Sequence, residues 1–290
     1  MNKIACIDVD HIFYLSLTGE KILDENGEPI KVDGKFTYRE RTFEESCKVA
    51  DDYITNILNV TESDGYIGFF GGSSKYRKNI YPEYKANRKD LEPLKNLTEM
   101  KSYLADKWNF EWLGNSEQQK ELFNCVYETD DYVASFVKQT PDSFIISPDK
   151  DLLGLEGNHY NPKKNEWVTI DEITAYYNFW KSMVCGDTTD NIKGLPGRGE
   201  AYFKKLEDSW IGVNSLPDTY IEGKEKYSVK IDISQKILYE YIYMFGEYGG
   251  IQEFYKNYMC LKIKNDLNVS GFEPVKWENT TIEEQNYDIT

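Results

Sequence analysis

The chain has 290 residues and a formal net charge of −16, with 40% hydrophobic, 29% charged and 15% aromatic residues, a globular composition with room for one large domain or two modest ones. Two histidines (His11, His159) and five scattered cysteines with no CxxC leave almost no material for a zinc site, a Ser-His-Asp triad or a disulfide framework, and no Walker A or GxGxxG loop occurs. The sequence has no apolar run of about eighteen residues, and its start, MNKIACIDVDHIFY, turns acidic where the core of a signal peptide would continue, so no membrane segment or export is expected.

In chain order, KIACIDVD (3–10) reads as a buried strand ending in acids. Residues 19–41 are polar, with Asn26-Gly27 and Asp33-Gly34 turn signals, and read as a loop or hairpin excursion. Thr42 and Glu45 form a capping-box pattern ahead of a helical spacing of Phe43, Val49, Tyr53, Ile57 and Val60. GYIGFF (65–70) is a second strand, a basic stretch follows, then a helix over 97–108 and a short strand at FEWL. TDDYVASFVKQ (129–139) is helical with Thr129 as its cap, SFIIS (143–147) is another buried strand, and the chain beyond 171 has a helical texture. Strands alternating with helices predict an α/β fold with a mostly parallel central sheet flanked by helices. The expected organisation is an α/β core over 1–180, a helical region over 181–265 and a tail over 266–290.

Three features carry chemistry. First, the apolar runs end in acids: Asp8 after IACI, then Asp149 and Asp151 after SFIIS, with Glu128, Asp130 and Asp131 opening the helix between. Ligands bind beyond the carboxyl ends of parallel strands, so these acids should converge, and converging carboxylates either hold protons or hold a cation. Hard divalent ions take such oxygen donors, and a pair of them is a device for phosphodiester hydrolysis. Helix capping and solvated surface explain either acid pair taken alone. Second, KYRKNIYPEYKANRK (75–89) sets Lys75, Arg77, Lys78, Lys85, Arg88 and Lys89 against the single acid Glu83, with Tyr76, Tyr81 and Tyr84 interleaved, a pattern suited to a nucleic-acid backbone. Third, Gly194, Gly197 and Gly199, with Lys193, Arg198, Lys204 and Lys205, form a Gly-punctuated turn between helices, suited to a phosphate or to a plain helical corner.

Taken together and in order, IACIDVD, KYRKNIYPEYKANR, ETDD, SPDKDLLGL and GDTTDNIKGLPGRGE resemble the motifs of the 5′-nuclease (flap endonuclease) superfamily, over about residues 3–208. The resemblance implies a PIN-like core with a helical arch over 75–97 and a helix–three-turn–helix region. It implies that Asp8, Glu128 and Asp130 bind one Mg²⁺ and that Asp149, Asp151 and Asp187 serve a second, with Asp190 in support and Asp131 between or behind the sites. Mn²⁺ would substitute, and K⁺ would sit at the glycine turn. Tyr84, Lys85 and Arg88 would contact the scissile region, and the other basic residues of 75–89 and 193–205, with Gly194, Gly197 and Gly199, would bind nucleic acid. Branched or 5′-ended DNA, or an RNA/DNA hybrid, would be cut by a cytoplasmic monomer, in the host cytoplasm if the chain is of phage origin. One departure stands out: the family aspartate after the second strand is replaced by Phe70-Gly71. Asp10, two residues past Asp8 and on the same strand face, is the expected substitute, with Asp64 or water as alternatives. The competing reading is a structure-specific DNA-binding protein of this fold with impaired catalysis; a PIN-like ribonuclease fits less well, having no use for the glycine turn.

Overall fold

The computed structural model describes residues 3–88, 94–114, 126–206 and 224–278. Strand β1 (Ile4–Asp8) runs directly into helix α1 (Asp10–Leu17). The excursion that follows is two small antiparallel pairs, β2 (Glu20–Lys21) with β5 (Tyr38–Arg39) and, inside them, β3 (Lys31–Val32) with β4 (Lys35–Phe36). Helix α2 (Phe43–Val60) opens on the capping box of Thr42 and Glu45, which satisfies two backbone donors at once. Then come β6 (Gly65–Phe70), α3 (Lys75–Ile80), α4 (Leu97–Trp108), β7 (Glu111–Trp112), α5 (Thr129–Gln139) and β8 (Ser143–Ile146). Strands β9 (Gly157–Asn161) and β10 (Glu166–Ile170) form a hairpin, and α6 (Glu172–Cys185) leads into a second, two-residue hairpin, β11 (Gly186–Asp187) with β12 (Ile192–Lys193). The chain ends in α7 (Lys224–Phe245), α8 (Glu247–Leu261) and β13 (Val275–Lys276).

The main sheet has the order β10-β9-β8-β1-β6-β13, with β7 also on β6. β1 is central and parallel to β6 and β8; β8–β9 and β6–β7 are parallel too, while β10 and β13 are antiparallel edges. The expected mostly parallel sheet is therefore present. Period-two alternation sends Ala5, Ile7, Tyr66, Phe70, Phe144 and Ile146 to the layer of α1, α2 and α4, and Cys6, Ile67, Phe69 and Ile145 to the layer of α5. A separate core of Trp180, Met183, Val184, Phe203, Ile237, Tyr241 and Phe254 builds the helical region.

Several expectations are corrected. The boundary at 180/181 falls inside α6, whose Trp180, Met183 and Val184 belong to the helical core. Residues 266–278 are not a tail: Val269 and Phe272 are buried against α5, and β13 pairs with β6. Only alternation over a few residues marks them in sequence, which is too short a pattern to read. The cap of α5 is Glu128, not Thr129. Lys89 lies outside the described residues. The sequence reads Cys6 and Cys185, each beside apolar residues, as buried free thiols; Cys6 is one, but Cys185, at the end of α6, is exposed. Among the described residues no helix is long and apolar enough to cross a membrane.

Candidate active site

Asp8 ends β1 level with Phe69 of β6, and Ser147 follows β8 beside it. The Ser147 hydroxyl donates to Asp8 Oδ2 (2.9 Å) and accepts from Asp149 N–H (3.0 Å), while Asp151 N–H donates to Asp149 Oδ1 (2.9 Å). One serine thus sets the β8 acids against the β1 acid. Asp10, opening α1, accepts from the Thr129 hydroxyl (2.9 Å) and from Gly71 N–H (3.4 Å). That places a carboxylate at the end of β6, beside Gly71, where the resemblance predicts an aspartate. Gly71 itself has no room for a side chain: its φ is +71°, and an added Cβ would lie 2.9 Å from the Trp112 ring. Asp64 is at the opposite end of β6, where its carboxylate accepts from Lys3 N–H (2.7 Å), so it is excluded as the substitute.

The second half of the basic stretch docks on the 187–191 turn. Lys85 N–H donates to Asp190 O (3.0 Å), Asn87 Nδ2 to Thr188 O (2.8 Å), and Asn191 Nδ2 to Glu83 O (2.8 Å). Asp187 shapes that turn by accepting from Thr189 N–H (2.7 Å). Lys85 Nζ lies 2.6 Å from Glu128 Oε1 and 3.7 Å from Asp190, and Arg88 lies 2.7 Å from Asp190 Oδ1. Tyr84 is 1% exposed, and its hydroxyl lies within hydrogen-bond distance of both Glu128 Oε2 and Asp190 Oδ2, donating its one proton to one of them. The expected contact between Tyr84 and a scissile phosphate is therefore corrected: this tyrosine joins two carboxylates from behind.

Two further expectations change. Asp131 is 0% exposed; its oxygens accept from Arg77 Nη1 (2.6 Å) and Nη2 (2.9 Å), from Glu128 N–H (3.0 Å) and from Lys264 N–H (2.7 Å). With every acceptor direction in use it has none left for a cation. Arg77 is equally buried, and its Nε donates to Cys260 O (2.8 Å), so it does not face nucleic acid. Gly194 is also structural: a Cβ there would meet Val184 O at 2.2 Å, whereas Gly197 and Gly199 stand open. Lys75, Lys78, Lys193, Lys204 and Lys205 are exposed. Arg198 lies 4.2 Å over the Tyr202 ring.

The electrostatics are those of crowded acids. Burial, then the charge of Asp10, raises Asp8 to about 7 despite the Ser147 bond. Burial, with Asp8 and Asp149, holds Asp130 well above the usual carboxylate range. Burial raises Asp10 against its Thr129 and Gly71 donors, and raises Asp151 to about 6 against Lys150. Burial would also raise Glu128 and Asp187, but Lys85 and Arg77 hold Glu128 low and Lys150 holds Asp187 low. A cleft of about 700 Å³ opens beside Asp130, Asp151, Asp187 and Asp190.

Among the described residues no three acids already converge on one point as a ready-made ion site. The donors are nonetheless all oxygens, and Asp8, Asp10, Asp130 and Asp151 are raised by burial, and all but Asp10 also by neighbouring acids, the condition a hard divalent cation relieves. The residues fit such an ion in chemistry, with Lys85 and Lys150 now holding some of the oxygens it would take.

No protein-family profile matches the chain. It is 25% identical over 185 residues to a 5′-3′ exonuclease of Mycoplasmopsis pulmonis, covering 56% of this chain and 57% of that one. In sequence, the chain is similar to a protein named as a 5′-nuclease over little more than half of its length. It is likewise 25% identical over 177 residues to DNA polymerase I of Bacillus subtilis, covering 55% of this chain and 19% of the polymerase. With the flap endonuclease Xni of Shewanella pealeana the identity is 25% over 186 residues, 58% of this chain and 67% of the relative. The chain thus spans little more than half of the Mycoplasmopsis exonuclease and a fifth of the polymerase. Among solved structures, a variant of the T5 5′-exonuclease superposes with a TM-score of 0.49 at 13% identity, over 90% of this chain and 100% of the T5 chain. The catalytic core of Rad2 in complex with DNA substrate gives 0.46 at 15%, over 91% and 81%.

Sequence reasoning missed Ser147, Thr129, Lys150, Lys101 and Trp112. Ser147 and Thr129 were visible as neighbours of acids; nothing in the sequence marks Lys101 or Trp112, which reach the site from α4 and β7 only through the fold.

Proposed function

We propose that this chain is a divalent-metal-dependent 5′-nuclease that hydrolyses phosphodiester bonds near the 5′ end of DNA flaps or RNA primers in replication or repair, leaving a 5′-phosphate and a 3′-hydroxyl. The observation that carries the reading is the gathering of Asp8, Asp10, Asp130, Asp149 and Asp151 beyond β1 and β8, faced by Lys85 and Arg88 of the stretch docked on the 187–191 turn.

Asp8, Asp10 and Asp130 would hold one Mg²⁺ with Glu128, and Asp149, Asp151 and Asp187 a second; such ions supply a nucleophilic water at neutral pH and stabilise the leaving oxygen. The chain's own contribution is position. Ser147 and Thr129 fix the rotamers of Asp8 and Asp10. Tyr84 keeps Glu128 and Asp190 together. Lys85 and Arg88 are partly solvent-facing cations paired to acids, placed to exchange those partners for phosphate oxygens. The exposed Lys193, Lys204 and Lys205 around Gly197 and Gly199 are suited to the duplex backbone, with carbonyls of that turn available to K⁺.

The alternative, a structure-specific DNA-binding protein with impaired catalysis, has Gly71 in its favour. A 5′-labelled flap incubated with Mg²⁺ or EDTA, for wild type and Asp149→Asn, separates the two. Mg²⁺-dependent cutting lost in the variant supports the nuclease. Tight flap binding with no cutting under Mg²⁺ or Mn²⁺ supports the binding protein.

A further inference from the structure

Lys101 and Trp112 stand on the Asp10 side of the acids. We propose that Lys101 Nζ and the Trp112 indole N–H form a phosphate-binding subsite for the 5′ strand of the substrate, an inference that rests on the nuclease reading above. Four cations act on the site carboxylates from other directions, and each is paired to an acid: Arg77 to Asp131, Lys85 to Glu128, Arg88 to Asp190 and Lys150 to Asp151. Lys101 is different. Its ammonium is 5.8 Å from the Trp112 ring centroid and 5.9 Å from that of Phe13, close enough to Asp10 to act on its carboxyl, and it has no ion pair or hydrogen bond among the described residues. Two aromatic faces support the stem and direct the charge without neutralising it.

Trp112 adds the second donor. Its ring stacks on Phe70 (5.7 Å between centroids) and its edge fills the space that a side chain at Gly71 would need, with Nε1 3.0 Å from that added Cβ. The indole N–H has no acceptor among the described residues. A cation and a neutral N–H, neither of them hydrogen-bonded among the described residues, suit an anionic oxygen rather than a base edge. Trp112 closes β7 level with Phe70 at the carboxyl end of β6, which is the ligand side of the sheet. The chemistry selected is a backbone phosphate next to the bond being cut.

Flap binding in EDTA, titrated against salt, tests this without any cleavage. Lys101→Met should weaken binding by about tenfold, as expected for a lost charge-assisted bond, and lower the salt slope by about one; Lys101→Arg should keep the slope. A scan of flaps with single neutral methylphosphonate linkages should find one linkage that costs wild type affinity and costs Lys101→Met nothing further, with Trp112→Phe showing a smaller loss at the same linkage. An unchanged slope, an unchanged methylphosphonate pattern in Lys101→Met, or a wild type that binds no flap overturns the subsite. A wild type that binds flaps and shows the pattern but cuts nothing under Mg²⁺ overturns the nuclease reading and leaves the subsite standing.

Discussion

Arg77 and Asp131 meet through two hydrogen bonds, Nη1–Oδ2 at 2.6 Å and Nη2–Oδ1 at 2.9 Å, with side chains 3% and 0% exposed. The pair ties α3, the start of α5 and the 260–264 segment into one block, because Arg77 also donates to Cys260 O and Asp131 accepts from Lys264 N–H. Removing one partner strands the other charge, which costs about 3–5 kcal/mol, whereas an apolar replacement of both is far milder. Chemical denaturation of Arg77→Met, Asp131→Leu and the double variant should show two large losses and a smaller combined one. Near-additive losses would mean that the two side chains do not act as a pair.

Asp10 and Gly71 meet where the 5′-nuclease resemblance predicts an aspartate after β6: the Asp10 carboxylate accepts from Gly71 N–H. With φ at +71° and the Trp112 ring 2.9 Å from an added Cβ, Gly71→Asp should not restore a family-like ligand. It should destabilise by about 1–3 kcal/mol through backbone strain and overpacking. Asp10→Asn should instead weaken Mg²⁺ binding, read by calorimetry, while leaving the melting temperature unchanged or raised, since it removes one of the crowded charges. Equal Mg²⁺ affinity in Asp10→Asn and wild type would remove Asp10 from the cation site.

Asp8 gives the protein a pH signature. Its carboxyl titrates at about 7 when folded, against 3.8 for the free group, so between those values the folded chain holds the extra proton. The stabilising contribution is full below about pH 4 and is lost as pH rises towards 7, at up to about 1.4 kcal/mol per pH unit. His11 runs the other way: burial lowers it to about 4, so it opposes folding as pH falls below about 6.5. Comparing wild type with Asp8→Asn in EDTA isolates the first effect. The variant should gain stability relative to wild type as pH goes from 5 to 8, and Mg²⁺ should raise the wild-type melting temperature more at pH 8 than at pH 5. A constant difference across that range would show that Asp8 is not perturbed.

The sheet strands were legible because β1, β6 and β8 are buried on both faces, so their sequences are nearly continuous apolar runs. The helix of 43–60 announced itself with a capping box. The acids Asp8, Asp149 and Asp151 could be placed because parallel strands deliver their carboxyl ends to one side. What failed was the direction of individual side chains. Asp130 and Asp131 are adjacent in sequence, yet a helix sends neighbours about 100° apart, and only the partner Arg77, 54 residues away, decides which one turns inward. Tyr84 and Arg77 looked like surface groups because they stand among lysines; the burial that removes them comes from the 260–264 segment and the 187–191 turn, contacts too distant in sequence to leave a local pattern. The β9–β10 hairpin was hidden for the opposite reason, its strands being polar and half exposed.

Gly194 separates folding from binding in the glycine turn. Its Cβ position lies 2.2 Å from Val184 O and 2.4 Å from Gly186 N, both backbone atoms, so Gly194→Ala must push the β12 end away from α6. The expected cost is about 1–3 kcal/mol, the range for overpacking. Gly199 meets nothing within 4 Å, and Lys204 and Lys205 are exposed further on, so Lys204→Glu with Lys205→Glu should change stability by less than about 1 kcal/mol. The same double variant should bind duplex DNA more weakly and with a salt slope reduced by about two. Thermal melts and salt titrations on both variants check the split. Loss of stability in the lysine variant, or full duplex binding by it, would show that this turn is a packing corner and not a contact with DNA.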